Sequence, residues 1–223
     1  MTPVASMTHV SKRFGRHTAL TDVTAMLFAA ELVGLVGPNG AGKTTALRVA
    51  AGLILPTAGE VSGPPAHAIA YFGGEQTLPA DVSARRWAEL WNGPWSRLAP
   101  RRSFGVLSRG TRQRIGLETA LSSPSTELLL LDEPWESLDP DASRWLSDQL
   151  IRRRAGGAAV LVSSHRMHEL ASICDRCLFL SNGRITASVV CPADVSPDER
   201  VASLLDAYDR SRANSAETSG GHR

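Results

Sequence analysis

GPNGAGKTT, residues 37–45, decides how this chain folds. It fits the pattern G-x-x-x-x-G-K-[ST] and lies where that pattern has physical meaning, after the apolar run LVGLV and before the helix-compatible TTALRVAAG. Glycines at 37, 40 and 42 let the backbone of Gly37, Pro38, Asn39, Gly40, Ala41 and Gly42 wrap tightly and turn several N–H groups inward. A helix opening near Lys43 adds the positive end of its dipole, so a triphosphate meets donors and partial charge together. Lys43 supplies a point charge for the β- and γ-phosphates, Thr44 a hydroxyl for Mg²⁺, and Thr45 a contact for the α-phosphate.

A second stretch answers the first. LLLLDEPWESLDP, residues 128–140, ends four leucines in two adjacent acids, Asp132 and Glu133. Delivering two carboxylates at the end of a buried strand is costly unless positive charge waits there. In a P-loop fold the first acid of such a strand comes near the P-loop's Mg²⁺, so Asp132 is expected as a metal ligand. Glu133, one residue on, is then placed to polarise a water for attack on the γ-phosphate.

The rest of the chain suits one α/β core. Its 223 residues are 43% apolar, and 24 basic against 22 acidic residues leave a net charge of +2, too balanced to announce a nucleic-acid partner. Only Lys12 and Lys43 are lysines. No run approaches the roughly 18 apolar residues of a membrane span, and the N-terminus lacks a secretory pattern, so a cytoplasmic location is expected. Cys174, Cys177 and Cys191 are expected as small buried hydrophobes, since zinc needs four ligands and CDRC supplies two.

Strands are expected at 23–28, 32–36, 68–72, 128–131, 158–163 and 177–180, with Asn182-Gly183 turning the last into a hairpin with 184–189. Helices are expected at 44–51, 139–154 and 167–173. A further helix is expected after the Ser196-Pro197-Asp198-Glu199 cap, with Val201, Leu204, Leu205 and Tyr208 on its apolar face. Residues 79–122 carry no convincing strand and read as a helical insert. Residues 1–212 are expected to form a single domain with this helical part at about 78–123, and 213–223 a disordered tail.

With these pieces in place the chain resembles the nucleotide-binding subunit of ATP-binding-cassette (ABC) transporters over nearly all of residues 8–190. LSRGTRQR, residues 107–114, is similar to that family's LSGGQ signature, with Arg109 for the first glycine and Thr111 for the glutamine, while Ser108 and Gly110 remain. The resemblance implies an α/β P-loop NTPase of ABC type, with a mixed central sheet, an antiparallel β subdomain and a small helical subdomain. It implies ATP hydrolysis with ATP and Mg²⁺, Ser108 and Gly110 reaching the γ-phosphate held by a second subunit, and Phe14 stacking on adenine. It also implies that Asp139, in SLD, belongs to a loop crossing the dimer interface, and that His165 contacts the γ-phosphate. The family's glutamine after the strand near residue 72 falls here on Gly74, with Gln76 the nearby substitute, and Trp135 replaces a small residue.

The implied partners are a second copy or paralogous ATPase subunit and a separate transmembrane subunit that holds the chain on the inner face of the cell membrane, with no nucleic acid. Export is the expected direction, because no long accessory domain follows residue 190. The competing function is a soluble, non-transport ATPase of the same superfamily acting on nucleic acid or ribosomes; a scaffold without turnover fits poorly with Lys43, Asp132, Glu133 and His165 all present. Trp87, Trp91 and Trp95, at i, i+4 and i+8, leave two readings: the core of a small helical lobe, or partly the lining of a groove for a helix of the membrane subunit.

Overall fold

The computed structural model describes residues 2–91, 99–192 and 194–219, and in it the unbroken apolar runs become inner strands. In chain order the strands are β1 (Ala5–Phe14), β2 (His17–Leu27), β3 (Leu32–Val36), β4 (Ala58–Ser62), β5 (Ile69–Phe72), β6 (Leu128–Asp132), β7 (Ala159–Ser164), β8 (Arg176–Ser181) and β9 (Arg184–Val190). The helices are α1 (Lys43–Ala50), α2 (Ala84–Leu90), α3 (Arg109–Ala120), α4 (Pro140–Ala155), α5 (Met167–Ile173) and α6 (Pro197–Ser219). Every residue of β3, β6 and β7 is buried, as strands covered on both faces must be.

The larger sheet runs β5-β6-β7-β3-β8-β9, parallel except for β9, which pairs antiparallel with β8. Alternation along β6 divides the four leucines between two cores. Leu129 and Leu131 join Trp135 and the α4 residues Leu146 and Leu150. Leu128 and Leu130 face Leu47 of α1 together with Val10, Leu20 and Val23 of the second sheet. Truncating one such leucine to alanine costs about 2–5 kcal/mol. Trp135 is thereby explained: its ring fills the core between the end of β6 and α4 and is 1% exposed.

The second sheet is antiparallel, in the order β2-β1-β4. Here sequence patterning fell short, since neither β1 nor β4 was expected and β2 starts at His17 rather than 23. β1 and β2 slip register at bulges, where His9 and Asp22 take φ of 51° and 55°, and the hydrophobic alternation is broken. β4, AGEVS, is exposed almost throughout. Its Gly59 has φ 86°, and a Cβ there would lie 2.3 Å from the His9 carbonyl oxygen. The β8–β9 hairpin formed as its residues demand, Asn182 and Gly183 both having positive φ, 47° and 73°.

Helix α6 opens with the expected box: Ser196 Oγ and its N–H donate to Glu199 Oε2 at 2.8 and 3.2 Å, and the Glu199 N–H returns to Ser196 Oγ at 3.3 Å. It buries Val201, Leu204 and Ala207, while Leu205 is exposed, one residue around the helix from the face assigned to it. The helix continues to Ser219, past Arg212 where order was expected to end; residues 220–223 lie outside the described residues, as does Trp95. All three cysteines are buried thiols. The Cys177 thiol is pushed well above its usual range by its hydrogen bond with Cys174 and by burial, which suits a packing role over a nucleophilic one.

A candidate nucleotide site at the edge of the sheet

The glycine loop leaves β3 at Val36 and enters α1 at Lys43. Two positions admit only glycine. A Cβ on Gly37 would lie 2.3 Å from the Leu180 carbonyl oxygen, and Gly42, at φ 106°, would bring one within 2.6 Å of that of Ala19. Lys43 follows, 7% exposed. Its ammonium donates to the Gly37 and Pro38 carbonyls at 2.7 and 3.3 Å and stands 3.3 Å from Glu133 Oε1.

Parallel register places the other half of the site. β7 lies between β3 and β6, and Asp132 is level with Ser163. Asp132 Oδ1 accepts from Ser163 Oγ at 2.6 Å, and Oδ2 accepts from Thr44 Oγ1 at 2.5 Å. Thr44 and Asp132 thus offer two adjacent hard oxygens, a donor set that fits Mg²⁺ taking its remaining ligands from phosphate and water. Among the described residues no group of three or more His, Cys, Asp and Glu gathers that could cage a metal by protein alone.

Glu133 occupies left-handed backbone at φ 46°, uncommon for a residue with a side chain and a recurrent form of strain at functional sites. Its N–H donates to Ser163 Oγ at 2.9 Å. Its carboxylate lies between two cationic or polar neighbours: Oε2 is 2.9 Å from His165 Nδ1 and accepts the His165 N–H at 3.3 Å, while Oε1 faces Lys43. Lys43, Thr44, Asp132, Glu133 and His165 are therefore brought together from the ends of three strands.

The cavity over the loop has a volume of about 360 Å³ and is lined by the glycine loop, His17, Gln76, Arg109, Gln113 and both acids, among others. Gln76 sits in it with its amide donating to the Gly73 carbonyl at 3.0 Å. Phe14 does not line it. The ring stands at the end of β1, 49% exposed, with its backbone partner His17 at the cavity wall. The Lys12 ammonium caps that ring, 5.0 Å from its centroid, anchored on the Leu55 carbonyl at 2.7 Å. The two lysines of the chain thus serve the glycine loop and Phe14.

Ser108, Gly110 and Asp139 do not line this cavity. Ser108 caps α3, accepting the Thr111 N–H at 3.2 Å, and Asp139 caps α4, accepting that of Ala142 at 2.7 Å. Gly110 and Asp139 line a separate cavity of about 580 Å³ between α3 and α4. Sequence reasoning missed Ser163, Glu75 and Gln113. Ser163 carried a usable signal, a hydroxyl ending an otherwise apolar strand, whereas Glu75 and Gln113 carried none.

The chain matches the family model described as ABC transporter over residues 20–136. Among curated proteins it is 30% identical over 214 residues to the Nod factor export ATP-binding protein I of Ralstonia nicotianae, covering 82% of this chain and 66% of that protein. It is 34% identical over 210 residues to the aliphatic sulfonates import ATP-binding protein SsuB of Granulibacter bethesdensis, covering 83% of each. Among solved structures, the ATP-binding subunit of an ABC transporter superposes with a TM-score of 0.78 at 23% identity, covering 91% of this chain and 99% of that one. A dimeric ATP-binding cassette bound to ADP and Pi, in a post-hydrolysis state, superposes at 0.75 with 21% identity, covering 85% and 99%. The mixed larger sheet and the smaller antiparallel one agree with these likenesses, and the chain belongs to the ABC transporter family.

Proposed function

We propose that this chain hydrolyses ATP in the cavity over the glycine loop and thereby drives a separate membrane-spanning subunit. The observation that carries the reading is that Lys43 and His165 both meet the carboxylate of Glu133, the residue next to the Thr44–Asp132 pair. Loop N–H groups and the start of α1 bind the phosphates, with Lys43 at the β- and γ-phosphates and Thr45 at the α-phosphate. Thr44 and Asp132 would hold Mg²⁺, which when bound offsets charge on the phosphate oxygens. Glu133 accepts a proton from a water whose oxygen bonds to the γ-phosphorus as the bond to the β-phosphate oxygen breaks, that oxygen leaving with the electron pair on ADP. His165 orients the carboxylate and meets the γ-phosphate, Phe14 stacks on adenine, and Gln76 faces the phosphates from the opposite wall.

Residues 1–212 act in this reading as one catalytic domain. Ser108 and Gly110 lie outside their own chain's cavity, which supports an arrangement in which a second copy or a paralogue brings them to the γ-phosphate, Asp139 crossing between. A groove of about 650 Å³ beside β5, lined in part by Tyr71, Phe72, Leu78, Trp87 and Trp91, is the proposed seat for a short helix of the membrane subunit. No helix among the described residues is long and apolar enough to cross a membrane; in this reading the bilayer-crossing part belongs to that partner, on whose cytoplasmic face this chain rests. The named relatives include both import and export proteins; export is the direction proposed here.

Glu133→Gln tests the chemistry. It keeps the shape and one acceptor oxygen but cannot take the proton, so kcat should fall by about 10²–10⁴ while ATP stays bound and an ATP-loaded dimer accumulates. Near-normal hydrolysis removes Glu133 from the role of base.

A further inference from the structure

We infer that Gln113, held in place by Glu75, is a positioning residue for Glu133 and ties the helical lobe to the catalytic carboxylate. This rests on the reading of Glu133 as the base. The left-handed turn at Glu133 is of a kind that costs about 1–3 kcal/mol and persists only where surrounding contacts over-determine it. On one side Ser163 takes its N–H. On the other stands Gln113, whose amide donates to the Pro134 carbonyl at 2.9 Å and reaches that of Glu133 at 3.4 Å.

Gln113 is 1% exposed, and both ends of its amide are used. Its oxygen accepts the Glu75 N–H at 3.0 Å, so one side chain brackets the turn after β6 against the loop after β5. Glu75 in turn is fixed by charge. Its carboxylate, buried at the foot of the cavity, lies 2.6 Å from Arg112 Nε and 3.2 Å from Arg109 Nε. A buried carboxylate is tolerable only with such partners, and both come from the first turn of α3, the helix that also packs Trp87 through Thr119. A displacement of α3 therefore pulls on Gln113 and, through it, on the Glu133 turn. The departure of the signature at Arg109 has a use here: a glycine at that position has no side chain to meet Glu75.

The test pairs Gln113→Glu with Glu75→Gln. Gln113→Glu keeps size and the acceptor for the Glu75 N–H but sets an oxygen against two carbonyls; Glu75→Gln keeps the N–H and weakens the hold on Arg112. Gln113→Glu should lower kcat by at least about tenfold, and by clearly more than it raises the dissociation constant for a fluorescent ATP analogue, which the added charge also disfavours. Glu75→Gln should lower kcat by about threefold or more, without loss of binding, and the double variant should be no slower than Gln113→Glu, as members of one chain of contacts are non-additive. Turnover within twofold of the parent in Glu75→Gln, or binding that falls in step with kcat, overturns the inference. If Gln113→Glu does not fold, Glu75→Gln alone decides on the same criteria. Glu133→Gln, assayed alongside, separates the two claims: if it abolishes turnover while the Gln113 and Glu75 variants are harmless, only the positioning role fails.

Discussion

Residues 37–45 and 132–133 do their work from backbone position, whereas residues 75–120 do theirs through side chains paired across long stretches of chain. In the first region the loop glycines, the helix start and the strand register bring Lys43, Thr44, Asp132 and Glu133 together almost without freedom. In the second, Glu75 meets Arg112 and Gln113 at separations of 37 and 38 residues, and Trp87 meets Thr119 across 32. The contrast separates a phosphate-binding half, set by backbone conformation and strand register, from a lobe whose fit to the first half is adjustable by single substitutions.

The largest effect that would sharpen this contrast is expected inside the rigid half. Ser163 is fully buried and serves both acids, donating to Asp132 and accepting from Glu133. Ser163→Ala strands two buried polar groups, each costing about 1–3 kcal/mol. The melting temperature should fall by about 2–4 °C per kcal/mol in a chain of this size, and kcat should fall with it. A variant as stable and active as the parent would show that the strand edge does not hold the acids.

A smaller effect on the fold, but a clear one on assembly, is expected in the lobe. Trp91 is 53% exposed, its ring tilted against Trp87 with centroids 5.8 Å apart. Trp91→Ser should leave a folded, ATP-binding protein whose association with the proposed membrane subunit, measured by co-purification from membranes, weakens by about 2 kcal/mol or more, as for a buried aromatic anchor. Loss of the folded state instead would assign the ring to the core of the lobe.

Legibility in the sequence followed the same division. LVGLV and LLLLDE announced inner strands because unbroken apolar runs of that length have few other homes, and the glycine loop announced its ligand because its backbone admits so few residues. Asn182-Gly183 and the Ser196–Glu199 box were equally direct. β1 and β4 were not legible: the bulge at His9 breaks the alternation of one, and Gly59 and exposure deprive the other of any pattern. Phe14 was singled out by the family resemblance, yet its relation to Lys12 and Leu55 depends on a fold that closes residue 12 on residue 55. Glu75 and Gln113 were invisible for the same reason, each being an ordinary polar residue until β5, α3 and β6 are packed together.

The most direct test of the central claim is a calorimetric titration of Mg-ATP into the pure, folded protein, with Lys43→Ala as its pair. A saturable binding heat is expected for the parent, and an affinity about 10- to 100-fold weaker for Lys43→Ala, the loss of one charge-assisted contact of about 1.5–3 kcal/mol. No heat with the parent, or identical isotherms for the two proteins, would contradict the assignment of the glycine loop and its lysine as the nucleotide site.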